Sequence, residues 1–179
     1  MRFIARLLPL LFAAPLLFAA PLHAQAAPSE SSPWSALSFL QGTWDAKATG
    51  NGGAAAMGSY TFRLELRDHI LARHGDLTQC KGPAAFDCEH GDLLYIYRDA
   101  STQPFKAIYF DNEGHVIHYD VSTPSPTSAV FLSDGSQPGP QFRLAYERKG
   151  QVMYGSFQIR MPGQQEWKPY LEWSGARHP

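Results

Sequence analysis

Alternation of apolar and polar residues predicts an all-β fold, a single antiparallel up-and-down β-barrel of about ten strands behind a short N-terminal helical turn. Three observations carry this. Period-two alternation runs through most of the chain and is clearest in Ser59-Tyr60-Thr61-Phe62-Arg63-Leu64-Glu65-Leu66, where even positions are apolar and odd ones polar. Turn-forming separators only a few residues long, among them Asn51-Gly52-Gly53 and Asp134-Gly135, recur roughly every ten residues, and separators that short join antiparallel neighbours. The runs follow one another as a simple meander, and several carry bulky residues on both faces, as in Leu93-Leu94-Tyr95-Ile96-Tyr97. So many strands must close or stack, because open edges invite aggregation, and a sandwich is the alternative architecture.

The first element is a leader. Arg2 and Arg6 precede an apolar stretch, Leu7 to Leu22, that runs into small residues. This is the layout of a secretory signal peptide, with Ala24-Gln25-Ala26 offering an A-x-A cleavage site and Leu22-His23-Ala24 a second. Pro9, Pro15 and Pro21 suit such a leader better than a permanent membrane helix. Residues 1–24 are therefore expected to be removed, which puts the protein in the periplasm or outside the cell with no stable membrane insertion. Residues 25–33 read as a polar, flexible tether and 34–179 as one barrel domain.

Within that domain Trp34, Leu37 and Leu40, with Phe39 alongside, are spaced for one or two helical turns. Strands are expected at Thr43–Thr49, Ser59–Leu66, His69–Leu77, Asp92–Arg98, Phe105–Asp111, Val116–Val121, Ala129–Leu132, Gln141–Glu147, Val152–Met161 and Trp167–Trp173.

Without the leader the chain keeps 13 basic and 16 acidic residues, a formal charge of −3. No basic patch or basic amphipathic stretch is visible, which speaks against nucleic acid and against a membrane surface as partner. Cys80 and Cys88 bracket a short loop of turn formers. In an oxidising compartment that spacing reads as a disulfide contributing about 2.5 kcal/mol through loop closure. A metal site made with His90 is the competing reading; only three ligands cluster there, so no metal is expected.

Phe39-Leu40-Gln41-Gly42-Thr43-Trp44 resembles the entry of a lipocalin-type (calycin) barrel, where a helical turn leads into Gly-x-Trp on the first strand. The resemblance implies that Trp44 closes one barrel end and packs against an arginine from a late strand, with Arg160 and Arg177 as candidates. Ala107 to Tyr119, Pro138 to Tyr146 and Tyr170 to Trp173 resemble a family of uncharacterised exported bacterial proteins with a lipocalin-like fold. That likeness covers nearly the whole chain behind the leader; it implies fold and export but no activity. The related nitrobindin-like haem binders carry Gly-x-Trp-x-Gly-x-Gly and a late histidine on the iron. Here the stretch is Gly42-Thr43-Trp44-Asp45-Ala46-Lys47-Ala48, and the only late histidine, His178, stands where the chain should fray. No haem or other cofactor is expected.

Tyrosines outnumber what a dry core needs, because each buried hydroxyl requires a partner. Either the rings line an amphipathic pocket or they stand on strand faces with their hydroxyls in water. On the first reading the barrel binds a small apolar or amphipathic molecule against Phe62, Leu64, Tyr95, Tyr97, Tyr109 and Tyr146. Catalysis has one candidate pair: His118 and Asp120 share a strand face, and pointing inward they would form a carboxylate-oriented imidazole for proton transfer. Ile117, Tyr119 and Val121 hold the opposite face, and that balance puts His118 and Asp120 in water. By the same parity His115 and His118 cannot share a metal within one strand, nor can His69 and His74. Asp111 and Asn112 most simply cap the turn before His115. Ser156 lies mid-strand without the Gly-x-Ser-x-Gly elbow of a hydrolase nucleophile. The alternatives to a binding barrel are an envelope enzyme of isomerase or hydrolase type, using His118, Asp120 and a lumenal tyrosine, and a ligand-free interaction protein.

Overall fold

The computed structural model describes residues 32–84, 86–99, 105–136 and 138–178. The expected leader, 1–24, lies outside them, as does the tether as far as residue 31. Ten strands form: β1 (Gly42–Gly50), β2 (Ala55–Glu65), β3 (Ile70–Lys81), β4 (Asp92–Arg98), β5 (Phe105–Asp111), β6 (Val116–Ser125), β7 (Ser128–Ser133), β8 (Gln141–Lys149), β9 (Val152–Arg160) and β10 (Lys168–Arg177). Each pairs antiparallel with its neighbours in sequence, and β1 pairs with β10, so the sheet is a closed barrel. Closure gives every strand two paired neighbours, which is how this much alternating sequence limits the open edge that would template aggregation. No helix among the described residues is long and apolar enough to cross a membrane.

Parity decides what faces inward. Residues opposite one another on adjacent strands share a face. The pairs Phe62–Arg73, Leu94–Tyr109, Phe131–Leu144 and Tyr146–Gly155 thus fall on the inner side. Trp44, Phe62, Leu71, Leu94, Ile96, Phe131, Tyr146 and Met153 are all fully buried there. Rings pack edge-on through the middle, with Tyr146 in contact with Phe62 at 5.3 Å, Trp173 at 5.5 Å and Phe131 at 6.0 Å between centroids.

The expected helical turn is a 3-10 turn, Ser35–Leu40, that plugs one end of the barrel. Leu37 and Leu40 are fully buried, and Trp34 stacks on Phe105 at 5.5 Å. Both indoles at this end find carbonyl acceptors: Trp34 Nε1–H donates to Asp68 O at 2.7 Å and Trp44 Nε1–H to Leu40 O at 2.8 Å. The Arg177 guanidinium lies over the Trp44 ring, 5.8 Å from its centroid. Arg160 does not serve there; it stacks on Trp167 at 4.6 Å and hydrogen-bonds Gln141, because its parity on β9 faces outward. His178 is not frayed: its N–H donates to Thr43 O at 2.9 Å and its ring meets Asp45 at 3.0 Å.

Several boundaries differ from expectation for local reasons. Leu66 leaves the alternation and is 70% exposed, because Leu66, Arg67 and Asp68 form a left-handed turn with φ of 51°, 55° and 64°. The Trp34 indole N–H on Asp68 O ties this turn to the plug. β6 runs on through Pro124 to Ser125, with the pairing register slipping between Ser122 and Ser125, as a residue without an N–H requires. At the end of the barrel opposite the plug, Cys80 and Cys88 form a disulfide with a Cα–Cα distance of 5.4 Å. That pairing removes both sulfurs as metal ligands. The segment after it is held to the β5–β6 turn: Asn112 donates its side-chain amide to Glu89 O at 2.8 Å and accepts from Gly91 N–H at 2.9 Å.

Candidate binding site in the barrel interior

Three strands bring charge into the inner face. On β3 the residues in phase with Leu71 are Arg73 and Gly75, and on β4 the residue in phase with Leu94 and Ile96 is Asp92. Asp111 on β5 stands opposite Asp92. Arg73 Nη2 forms an ion pair with Asp92 Oδ2, and Nη1 donates to the Tyr146 hydroxyl at 2.9 Å. His90, just before β4, places Nε2 at 3.0 Å from the Tyr109 hydroxyl and Nδ1 at 2.9 Å from Glu113 Oε1. Its Nε2 also lies 3.7 Å from Asp92 Oδ2, an ion-pair contact too long for a hydrogen bond.

These groups fix one another's charge. Burial alone would raise the Asp92 carboxyl, but the Arg73 guanidinium and His90 more than offset it and hold it at about 2. The Asp92 carboxylate in turn pulls His90 up to about 9 against the opposing effect of burial, with Glu113 adding to the pull. Burial would favour a neutral Arg73; Asp92 and Tyr146 outweigh it and keep the guanidinium charged. Burial raises the Tyr60, Tyr109, Tyr119 and Tyr146 phenols, so all four stay neutral at physiological pH. Asp111, which burial would raise, is instead lowered by the backbone and side chain of His115; it caps the β5–β6 turn, accepting from His115 N–H at 2.8 Å and Glu113 N–H at 3.1 Å.

Three buried polar atoms find no hydrogen-bond partner among the described residues: the Tyr60 hydroxyl, Arg73 Nε and Trp173 Nε1. All three surround Tyr146, which touches the Tyr60 ring at 6.0 Å and the Trp173 ring at 5.5 Å and takes the Arg73 hydrogen bond. The Trp173 indole N–H bears on the Tyr60 oxygen without reaching hydrogen-bond geometry. Trp173 can lie there because Gly155, opposite it on β9, has no side chain; a Cβ on Gly155 would fall 2.0 Å from the indole. Each buried donor left without a partner costs about 1–3 kcal/mol.

Of the residues expected to line the interior, Phe62 and Tyr146 are buried inside, with Leu64 and Tyr109 packed against the same core. Tyr95 and Tyr97 are not in it. Leu94 and Ile96 take the inner positions, which turns Tyr95 outward onto His74 and Phe110 at 6.4 Å and sets Tyr97 opposite Lys106 and Ile70 on the outer wall. His118 and Asp120 are exposed, Tyr119 being the buried residue between them, and Asp120 pairs with Lys106. A lumenal imidazole on β6 is thereby excluded, and the enzyme alternative loses its base. Asp87, His90 and Glu113 could hold a cation, with ligand-type atoms within 4.8 Å of one another. A protonated imidazole ion-paired to Glu113 is, however, no ligand until it loses its proton. Across β8, β9, β10 and β1 lies an open concavity of about 560 Å³ whose lining includes Lys47, Glu147, Tyr154 and Glu172 together with Tyr146, Gly155 and Trp173.

No protein-family model matches the chain, and no curated protein matches it. Among solved structures it is similar to EF1p2_mFAP2b bound to DFHBI (11% identity, covering 82% of this chain and all 100% of that one, TM-score 0.37). It is similar also to a de novo designed fluorescence-activating β-barrel (9% identity, 80% and 98% covered, TM-score 0.36). A third is a redesigned barrel, mFAP0, bound to DFHBI (11% identity, 78% and 99% covered, TM-score 0.35). At these identities the likeness is one of strand arrangement and bears on neither ligand nor activity.

Proposed function

We propose that this protein is an exported, lipocalin-like barrel that holds one small, mostly apolar or amphipathic molecule in its interior. The observation that carries the reading is the cluster of unpartnered polar atoms, Tyr60 hydroxyl, Arg73 Nε and Trp173 Nε1, set among aromatic rings on the inner face. Ligand sites have this character, mostly apolar walls with a few polar groups that fix orientation. A barrel of this strand number has room for one small ligand when its side chains allow it. Export is supported by the leader-like residues 1–24 and by a disulfide, which belongs to oxidising compartments.

The test is titration with the neutral dye Nile red, read by dye emission and by quenching of tryptophan fluorescence. One saturable site per barrel is expected, displaced by small apolar competitors. A rise that never saturates, as surface adsorption gives, would sink the reading. For export, the N-terminus of protein recovered from the periplasm is expected at Gln25 or Ala27; an intact Met1 would refute it.

A further inference from the structure

We propose that Asp87, His90 and Glu113, at the barrel end opposite the plug, form a binding site for one divalent transition-metal ion of the zinc type. The site is separate from the interior and independent of the reading given above. Its first ground is convergence. One ligand-type atom from each side chain lies within 4.8 Å of the other two, and among the described residues this is the one such group of three. His90 Nδ1 and Glu113 Oε1 are 2.9 Å apart although the residues are 23 apart in sequence. Tetrahedral bonds of about 2.0–2.1 Å put neighbouring ligand atoms about 3.3 Å apart. The ion therefore asks a few tenths of an ångström of that pair and one adjustment of the exposed Asp87 side chain. One imidazole with two carboxylates suits zinc, and a fourth position stays open to water.

The second ground is how firmly the histidine is presented. Asn112, next to Glu113, grips both neighbours of His90: it donates to Glu89 O at 2.8 Å, accepts from Gly91 N–H at 2.9 Å, and its own N–H donates to Gly91 O at 3.0 Å. The Cys80–Cys88 disulfide ties the residue after Asp87 to β3. Behind the ring, His90 Nε2 lies 3.0 Å from the Tyr109 hydroxyl and 3.7 Å from the Asp92 carboxylate. Metal-bound histidines are held in this way, one ring N–H kept by the protein and the other nitrogen turned to the ion. The third ground is charge. Arg73 already matches Asp92, so one imidazolium stands against two carboxylates, Asp87 and Glu113. A divalent ion on a neutral imidazole balances both; it releases the imidazolium proton to solvent and replaces the His90–Glu113 ion pair.

The experiment titrates zinc chloride into the folded, tag-free protein at pH 7.5 by calorimetry and follows the imidazole nitrogen resonances by NMR. One ion per barrel is expected, with the largest shift at His90 Nδ1. His90→Gln and Glu113→Gln should each weaken binding at least about tenfold, and Asp87→Asn several-fold. Glu113 is an exposed turn residue, so Glu113→Gln keeps the test open should His90→Gln fail to fold. His74→Gln and His115→Gln, at histidines that each face a single carboxylate, should leave the affinity unchanged. Heats that never saturate overturn the site. So does a saturable ion that survives Glu113→Gln, or one that is lost with His74 or His115.

Discussion

The two ends of the barrel are held by different physics. At the plug, Trp34, Leu37, Leu40 and Trp44 are buried apolar side chains whose only polar atoms, two indole N–H groups, are each satisfied by a carbonyl. Such burial contributes roughly 1.5–3 kcal/mol per side chain and does not depend on pH. At the opposite end Arg73, Asp92, His90 and Glu113 are tied by ion pairs, and the chain beside them by a disulfide. Buried ion pairs contribute little net stability, because desolvation consumes most of the attraction. The difference teaches that the first end is built to stay shut and the second to hold particular groups in particular places.

The largest effect expected is at the plug. Trp44→Ala should lower stability by about 3–5 kcal/mol, equally at pH 6 and pH 9, as measured by denaturant unfolding. A loss below about 1 kcal/mol would mean the plug does not close that end by packing. Next, replacing Cys80 and Cys88 together by alanine should cost about 2.5 kcal/mol through the opened loop. Amide exchange should quicken in 80–91 and not in Ser35–Leu40; equal quickening at both ends would erase the contrast between them.

The smallest effect is the most diagnostic, because His90 and Asp92 titrate and the buried side chains of the plug do not. Folded His90 keeps its proton to about 9, above its ordinary 6.5, so its contribution is complete below pH 6.5 and is lost as pH rises through 9. Asp92, held at about 2, contributes above its ordinary 3.8 and loses that contribution as pH falls towards 2. His90→Gln should therefore cost about 1 kcal/mol at pH 6, after allowance for screening of a ring 34% exposed, and close to nothing at pH 10. A variant whose deficit is the same at both pH values would remove the charge network as the cause.

Strand order and closure are legible in the sequence because alternation and short turns are local signals. The interior is legible only in part. In Leu93-Leu94-Tyr95-Ile96-Tyr97 both faces are bulky, so size points to the tyrosines, while the pairing with β3 and β5 puts Leu94 and Ile96 inside. Arg73 and Asp92 are easily missed because a charged residue in the apolar phase of a strand reads as the end of the pattern. Strict parity finds them: Arg73 is two residues after Leu71, and Asp92 two before Leu94. Tyr60 and Trp173 carry the right parity, but nothing in a sequence says that a buried hydroxyl or indole will lack a partner. That depends on side chains from strands far apart in the chain, such as β2 and β10, meeting around Tyr146.

The seam between β1 and β10 has a consequence for how the chain can be cut and joined. Asp45 and His178 touch across a sequence separation of 133 residues, so pairing this seam carries the longest loop closure in the barrel. It also makes the strand order a ring in which no strand is first. A short linker from the end of β10 to the plug, with new termini opened at the exposed Glu113-Gly114 turn, would give a circular permutant with the same barrel and the same interior residues. In that permutant β1 and β10 would pair as a local hairpin, and the longest closure would move to β5 and β6.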